Sequence, residues 1–226
     1  MGLRCVTLFI VLCISRQAGA QATLPYDTSY RYYYYDQKLS MFSESTVHKP
    51  AAVFFGDSIT DGCEWSEFFP GKLVLNRGIS ADNSFGLLYR LHEVLKRQPQ
   101  KLFILIGIND LARGIPVPVI LGNIDTLVQR VKRHSPGTTL ILQSVLPTNP
   151  AFTTFAKHQG KEKELAALNA GIEALATREE VFFLDLYSAF ANAEGVLPAT
   201  YTNDGLHLTG AGYQLWTTAI RNVGWL

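Results

Sequence analysis

The chain has 226 residues, with 20 Lys or Arg against 19 Asp or Glu, so its formal net charge is +1. That length suits one domain with its own core, and the near-balanced charge argues against the basic face that a nucleic-acid partner requires. Only three cysteines are present, too few for a disulfide-stapled scaffold.

The first twenty residues read as a signal peptide. Arg4 precedes an apolar run from Cys5 to Ile14, and Ala18-Gly19-Ala20 supplies the small residues of a cleavage site. The run is short for a bilayer span, and an uncleaved anchor is the alternative. Leu12 before Cys13 is too large for a lipoprotein signal. No later segment offers about 18 uninterrupted apolar residues, so the mature chain is expected to have no membrane span and to be exported, periplasmic or secreted. Cleavage removes Arg4 and Arg16, leaving 18 basic residues against 19 acidic and a net charge near −1. Cys5 and Cys13 leave too, so Cys63 stands alone and is expected to pack within the first helix of the domain.

Residues 21–50 form a tyrosine-rich strap, with Tyr26, Tyr30 and Tyr32 to Tyr35 followed by Leu39, Met41 and Phe42. Packing across the domain is the expected role, and a sugar-stacking platform is the alternative. The domain proper, residues 51–226, alternates strand and helix. Buried strands are expected at Ala51–Phe55, Leu73–Leu75, Leu102–Ile106, Thr139–Leu142 and Val181–Leu184. Between and after them lie helical faces: Leu88, Leu91 and Leu95; Ile120, Ile124, Leu127 and Val131; Leu165, Leu168, Ile172 and Leu175; and Leu215, Trp216, Ala219, Ile220 and Val223, with Thr209 as N-cap. This alternation predicts a three-layer α/β/α fold around a five-stranded parallel sheet. Right-handed crossovers put all strand carboxyl ends on one edge, where ligands bind. The irregular stretch Leu146 to Gly160 follows the fourth strand and should overhang that edge.

Four short segments converge there. Ser58 follows the first strand, Asn76-Arg77-Gly78 the second and Gly107-Ile108-Asn109-Asp110 the third, while Asp204-Gly205-Leu206-His207 precedes the last helix. A serine hydroxyl is a weak nucleophile until a base takes its proton, which His207 can do near neutral pH. Asp204, three residues earlier, can reach Nδ1–H and hold the tautomer. The backbone N–H groups of Ser58 and Gly78 and the amide of Asn109 are candidate oxyanion donors. A side chain at residue 78 would obstruct the approaching ester. Structural readings exist for each piece: Asp57, Ser58 and Asp61 as helix caps, Asn109 and Asp110 likewise, Gly78 as a turn residue, His207 as a packed or capping histidine. The four together, in this order at strand ends, are hard to explain as structural accidents.

These four segments resemble the sequence blocks of the SGNH (GDSL-type) hydrolase superfamily, with Ile59 where the GDSL name has Leu. The likeness runs from Ala51 to the C-terminus. It implies a flavodoxin-like sheet, a serine esterase activity, a triad of Ser58, His207 and Asp204, and an oxyanion hole from Ser58, Gly78 and Asn109. Segments Asn76–Ser80 and Leu206–Tyr213 are similar to the platelet-activating-factor acetylhydrolase-like and carbohydrate O-acetylesterase branch. That branch implies a small-molecule or glycan acyl-ester substrate, O-acetylated sialic acid or xylan among them. Longer acyl chains, as in a lysophospholipase or thioesterase, are the alternative, and a non-catalytic sugar-binding module is a third. Other frameworks fit badly. Thr60 breaks the Gly-x-Ser-x-Gly elbow, and Lys96 stands where a zinc protease would need a second histidine after His92. His48, His92, His134 and His158 form no ligand-spaced cluster, so no metal or cofactor is expected.

Overall fold

Five short runs form one all-parallel sheet in the computed structural model, which describes residues 25–226; the signal peptide expected over residues 1–20 lies outside the described residues. The strands are β1 Ala52–Gly56, β2 Val74–Gly78, β3 Lys101–Leu105, β4 Thr139–Gln143 and β5 Phe182–Leu184, in the spatial order β2-β1-β3-β4-β5. Every residue of β1 is buried, as a strand covered on both faces must be. The helices are α1 Tyr33–Glu44, α2 Ser58–Asp61, α3 Trp65–Phe68, α4 Ser84–Leu95, α5 Ile108–Ala112, α6 Val117–His134, α7 Glu162–Arg178, α8 Leu186–Phe190 and α9 Gly210–Asn222. Helices α4, α6 and α7 lie side by side on one face. On the other, α3 and α9 meet where Trp65 sets its ring edge-on to Trp216, and Phe54 of β1 stacks on Trp65 at 3.6 Å between centroids.

Strand β2 continues to Gly78 although Asn76 and Arg77 are polar and the apolar pattern stops at Leu75. The reason is a buried ion network. Arg77 meets Glu93 of α4 at 3.1 Å, and Glu93 in turn holds Arg97. Arg97 reaches across to the carbonyls of Phe42, Ser45 and Val47, fixing the end of α1. Cys63 lies beyond the C-cap of α2 rather than inside it, because the helix is a single turn ending at Gly62. It is buried in the core, and burial pushes its thiol up.

The tyrosine strap packs as expected. Tyr35 and Phe42 are buried with Ile79, and Tyr32, Tyr34 and Tyr35 donate to Ser80 O, Asp61 Oδ2 and Gly86 O. Asp61 therefore does not cap α2. Its carboxylate points to the strap, accepting from Tyr34 and from Ser80 N and Oγ, and pairs with Lys38 at 2.6 Å.

Candidate active site

Strand register sets the site. Gly56, the last residue of β1, pairs with Gly78 on one side and with Leu105 on the other. Neighbouring strands lie about 4.8 Å apart, so the chain segments leaving these three residues emerge at one level. The strand order reverses direction at β1, which opens a crevice beyond its carboxyl end. Ser58 enters that crevice two residues after β1, and Asn109 four residues after β3.

Ser58 opens α2, so its N–H is the first of that helix and has no acceptor within it. Asp57 is the N-cap, accepting from Ile59 N at 3.0 Å. The Asp57 side chain is fully buried with Oδ2 unpartnered, and burial raises its pKa to about 7. Two distant side chains hold this short helix and the residues that follow it. Tyr213 of α9 donates its hydroxyl to Ile59 O, and Asn76 Nδ2 donates to Asp61 O and Cys63 O.

The turn before α9 places the imidazole. Asp204 Oδ1 accepts from Leu206 N and His207 N at 2.9 and 2.8 Å, folding the backbone around the carboxylate. Gly205 has φ of +85°, and a Cβ there would meet Asn149 O at 2.6 Å, so only glycine fits this turn. Asp204 Oδ2 then lies 2.7 Å from His207 Nδ1, and His207 Nε2 lies 2.9 Å from Ser58 Oγ. Burial raises the Asp204 carboxyl, but the bonds from the His207 ring and from the two backbone N–H groups outweigh it, holding it below the ordinary value. The carboxylate therefore stays ionised beside Nδ1. Thr209 is the N-cap of α9 by position, yet its hydroxyl donates to Thr200 O rather than capping the helix.

Asn109 sits within α5, not at its cap, which is Gly107. Its Nδ2 donates to Asp82 O at 2.9 Å and its Oδ1 faces His158 Nε2 at 2.9 Å. An amide nitrogen carries two hydrogens, so one remains for the crevice. Asp110 does not take the alternative capping role either, because its carboxylate turns inward to accept from Ser84 N and Oγ.

Gly78 differs from the sequence reading in two respects. Its N–H, expected as an oxyanion donor, is taken by Asn76 Oδ1 at 2.8 Å. The close neighbour that excludes a side chain is the α2 backbone, not substrate: a Cβ would lie 2.5 Å from Asp61 Cα and 2.7 Å from Thr60 C.

Two residues that the sequence reading left without a role in the site shape it. Arg90 of α4 is buried and bonds Asp82 Oδ2 at 2.8 Å, Arg77 O at 2.7 Å and Gly56 O at 2.8 Å, tying the ends of β1 and β2 to the loop that receives Asn109. Its signal was a charge on the apolar face that Leu87, Leu91 and Val94 define. The second is His158, in the loop that was expected to overhang this edge and does: Phe155 there sets its ring edge-on to His207 at 4.8 Å. A cavity of about 760 Å³ opens beside Asn109 and His158, and its wall includes Ala81, Arg113, Lys157 and Lys161. Among the described residues, no three His, Cys, Asp or Glu side chains group to hold a metal ion, and no helix is long and apolar enough to cross a membrane.

A serine, histidine and carboxylate in hydrogen-bonded series at the switch point of a parallel sheet define a class, the acyl hydrolases of the three-layer α/β/α type. Within that class the chain belongs to the GDSL-like lipase/acylhydrolase family, which residues 54–215 match. It is similar to the human platelet-activating factor acetylhydrolase IB subunit alpha1, 28% identical over 177 residues that cover 76% of this chain and 74% of that protein. A GDSL-like lipase from Bacteroides thetaiotaomicron superimposes with a TM-score of 0.72 at 28% identity, covering 84% of this chain and 96% of its own. Axe2, an acetylxylan esterase from Geobacillus stearothermophilus, shares the fold with a TM-score of 0.63 at 21% identity, covering 80% and 97% respectively.

Proposed function

We propose that the chain is a serine esterase that removes small acyl groups, acetyl foremost, from O-acetylated carbohydrate of the sialic-acid or xylan type. Ser58 is the nucleophile, His207 the general base and Asp204 the carboxylate that orients it. The observation that carries this reading is the unbroken run from Ser58 Oγ through both ring nitrogens of His207 to Asp204 Oδ2. With the Nδ1 proton directed at an ionised carboxylate, Nε2 keeps its lone pair and accepts the Ser58 O–H.

In this mechanism His207 takes the hydroxyl proton as Ser58 Oγ attacks the ester carbonyl. The carbonyl oxygen gains negative charge, received by the Ser58 N–H and the second Asn109 Nδ2–H. The intermediate collapses, His207 Nε2–H protonates the departing alcohol, and an acyl-enzyme remains. Water then attacks that acyl group, giving its proton to His207, and the acid leaves as Ser58 recovers its proton.

The cavity beside Asn109 supports the choice of substrate. Its wall is made of alanines, the His158 imidazole and charged or amide side chains, a lining that suits a hydrated alcohol better than a long acyl chain. The mammalian relatives carry acetylhydrolase in their names, which favours a short acyl group here too. Export through the segment 1–20 belongs to the same proposal and rests on sequence alone.

The test is acetate release from a panel of acetylated glycans and sialic acids, run beside p-nitrophenyl esters of two to ten carbons. Turnover of acetyl esters that Ser58→Ala abolishes is the expected result. Equal or faster turnover of octanoyl and decanoyl esters would sink the acetyl assignment. Absence of fluorophosphonate labelling at Ser58 would sink the enzyme reading itself.

A further inference from the structure

We infer that His158 is a positioning residue of the oxyanion site: its Nε2–H holds the Asn109 amide in the one orientation that leaves an N–H for the substrate. This rests on the esterase reading above, in which Asn109 receives the oxyanion.

The argument starts from an acceptor that cannot donate. Asp82 O is a carbonyl, so the atom of Asn109 that faces it at 2.9 Å must be Nδ2. The other amide atom, Oδ1, then faces His158 Nε2 at 2.9 Å, and since Oδ1 only accepts, Nε2 must carry the hydrogen. Donor logic alone thus fixes both the amide flip and the imidazole tautomer. One Nδ2 hydrogen is spent on Asp82 O, and the second is forced to project from the remaining side of the amide. Donation into Oδ1 also draws electron density from the nitrogen, which makes that second N–H a stronger donor.

The environment of His158 keeps it in this form. With Nε2 protonated, Nδ1 carries the lone pair, and that atom is buried with no partner. The Phe155 carbonyl favours a second proton, but burial and the charge on His207 outweigh it. Burial, and then the charge that His207 acquires, both push the His158 pKa below its ordinary value. Around this ring stand Phe155, whose ring meets it edge-on at 5.8 Å and whose carbonyl accepts the His158 backbone N–H, Asn109 from α5, Arg113 and, farther off, His207. No carboxylate contributes to its shift. His158 stays a neutral Nε2–H donor while His207 cycles between neutral and charged.

A hydrogen bond that merely anchored the loop would leave catalysis through Asn109 intact; one that sets the amide would not. Three variants separate the two. His158→Phe keeps bulk and the edge contact with Phe155 but has no donor, His158→Gln keeps an N–H at similar reach, and His158→Ala has neither. With p-nitrophenyl acetate, the Phe and Ala variants are expected to lose kcat by about tenfold with KM little changed, short of the hundredfold or more that removing a whole oxyanion donor costs. Gln should recover most of the loss. In an Asn109→Ala background, His158→Phe should cause no further loss, because the group it positions is gone. Wild-type kcat in His158→Phe, a Gln variant as slow as Phe, or losses that multiply in the Asn109→Ala background would each overturn the inference. Should the alanine variant unfold on a thermal melt, the Phe and Gln pair decides alone. Turnover surviving in Ser58→Ala would instead refute the parent reading, an outcome none of the His158 variants can mimic.

Discussion

Gly78→Ala offers a test in which one methyl group is the whole perturbation. The added Cβ would sit 2.5 Å from Asp61 Cα and 2.7 Å from Thr60 C, with Asp61 N nearer still, and ordinary contact begins at 3.4 Å. The end of β2 and helix α2 must therefore separate by more than about 0.9 Å. Both neighbours are backbone, so no side chain can swing aside. Helix α2 is a single turn that begins with Ser58 and is held by Asn76 and Tyr213, so the displacement passes to Ser58 rather than being absorbed along a long helix. A misplacement near 1 Å can lower turnover by about a hundredfold, and overpacking of this kind destabilises by about 1–3 kcal/mol. The backbone N–H of residue 78 survives the substitution, so the loss cannot be charged to a missing donor. The assay is kcat on p-nitrophenyl acetate beside a urea unfolding curve. An alanine variant with kcat within twofold of wild type and an unmoved midpoint would show that the strand and helix are not packed as described, and the reasoning fails.

Three further outcomes follow from the same network. Arg90→Met leaves Asp82 buried without its partner and strips a donor from Gly56 O and Arg77 O; losing one side of a buried pair costs about 3–5 kcal/mol, read as a lower urea midpoint. Asp204→Asn turns an amide N–H toward Nδ1, forcing the Nε2–H tautomer that cannot accept the Ser58 proton. A drop in kcat approaching ten-thousandfold, with the fold intact by circular dichroism, is the expected result. Asp57 supplies the pH test. Its folded pKa of about 7 exceeds the ordinary 3.8, chiefly through burial, so folding takes up a proton between those values, and the stability it contributes is present below 3.8 and lost as pH rises to about 7. Asp57→Asn cannot titrate, so its stability relative to wild type should climb across that window; a difference independent of pH would refute the buried carboxyl.

The sheet and most of the site were legible in the sequence because both are written in local pattern. Apolar runs ending in Gly56 and Gly107 announce strands, and parallel topology brings their ends to one edge without any contact being known. Asp204 and His207 are three residues apart, so one turn suffices to join them. What escaped reading depends on partners far away in the chain. Asn109 meets His158 across 49 residues and Arg90 meets Gly56 across 34. No spacing rule links a lone histidine in an irregular loop to an amide after β3. Asp61 was misread for the same reason: its acid side chain suited a cap until Tyr34 and Lys38 of the strap claimed it. Gly78 was assigned to the right place for the wrong neighbour, since a glycine's need for space does not say what fills it.

The site divides its rigidity unequally, and that division bears on how substrate choice can change. Ser58 and the Gly56 carbonyl are fixed from behind by strand register, Arg90 and Asn76, none of which belongs to the cavity wall. The loop from Leu146 to Gly160 is different, for it forms part of that wall and also holds His207 and Asn109. Asn149 N donates to Gly205 O in the turn of His207, Phe155 lies against the imidazole, and His158 holds Asn109. A change of loop sequence made to admit another alcohol therefore also moves His207 and Asn109. KM and kcat should shift together when this loop is altered, whereas substitutions at Arg113 or Lys161, whose side chains line the cavity without bonding Ser58, His207 or Asn109, should act on KM first. Ser58 is held by the sheet, and selectivity can be tuned without loss of rate only from the side of the cavity where the loop does not reach.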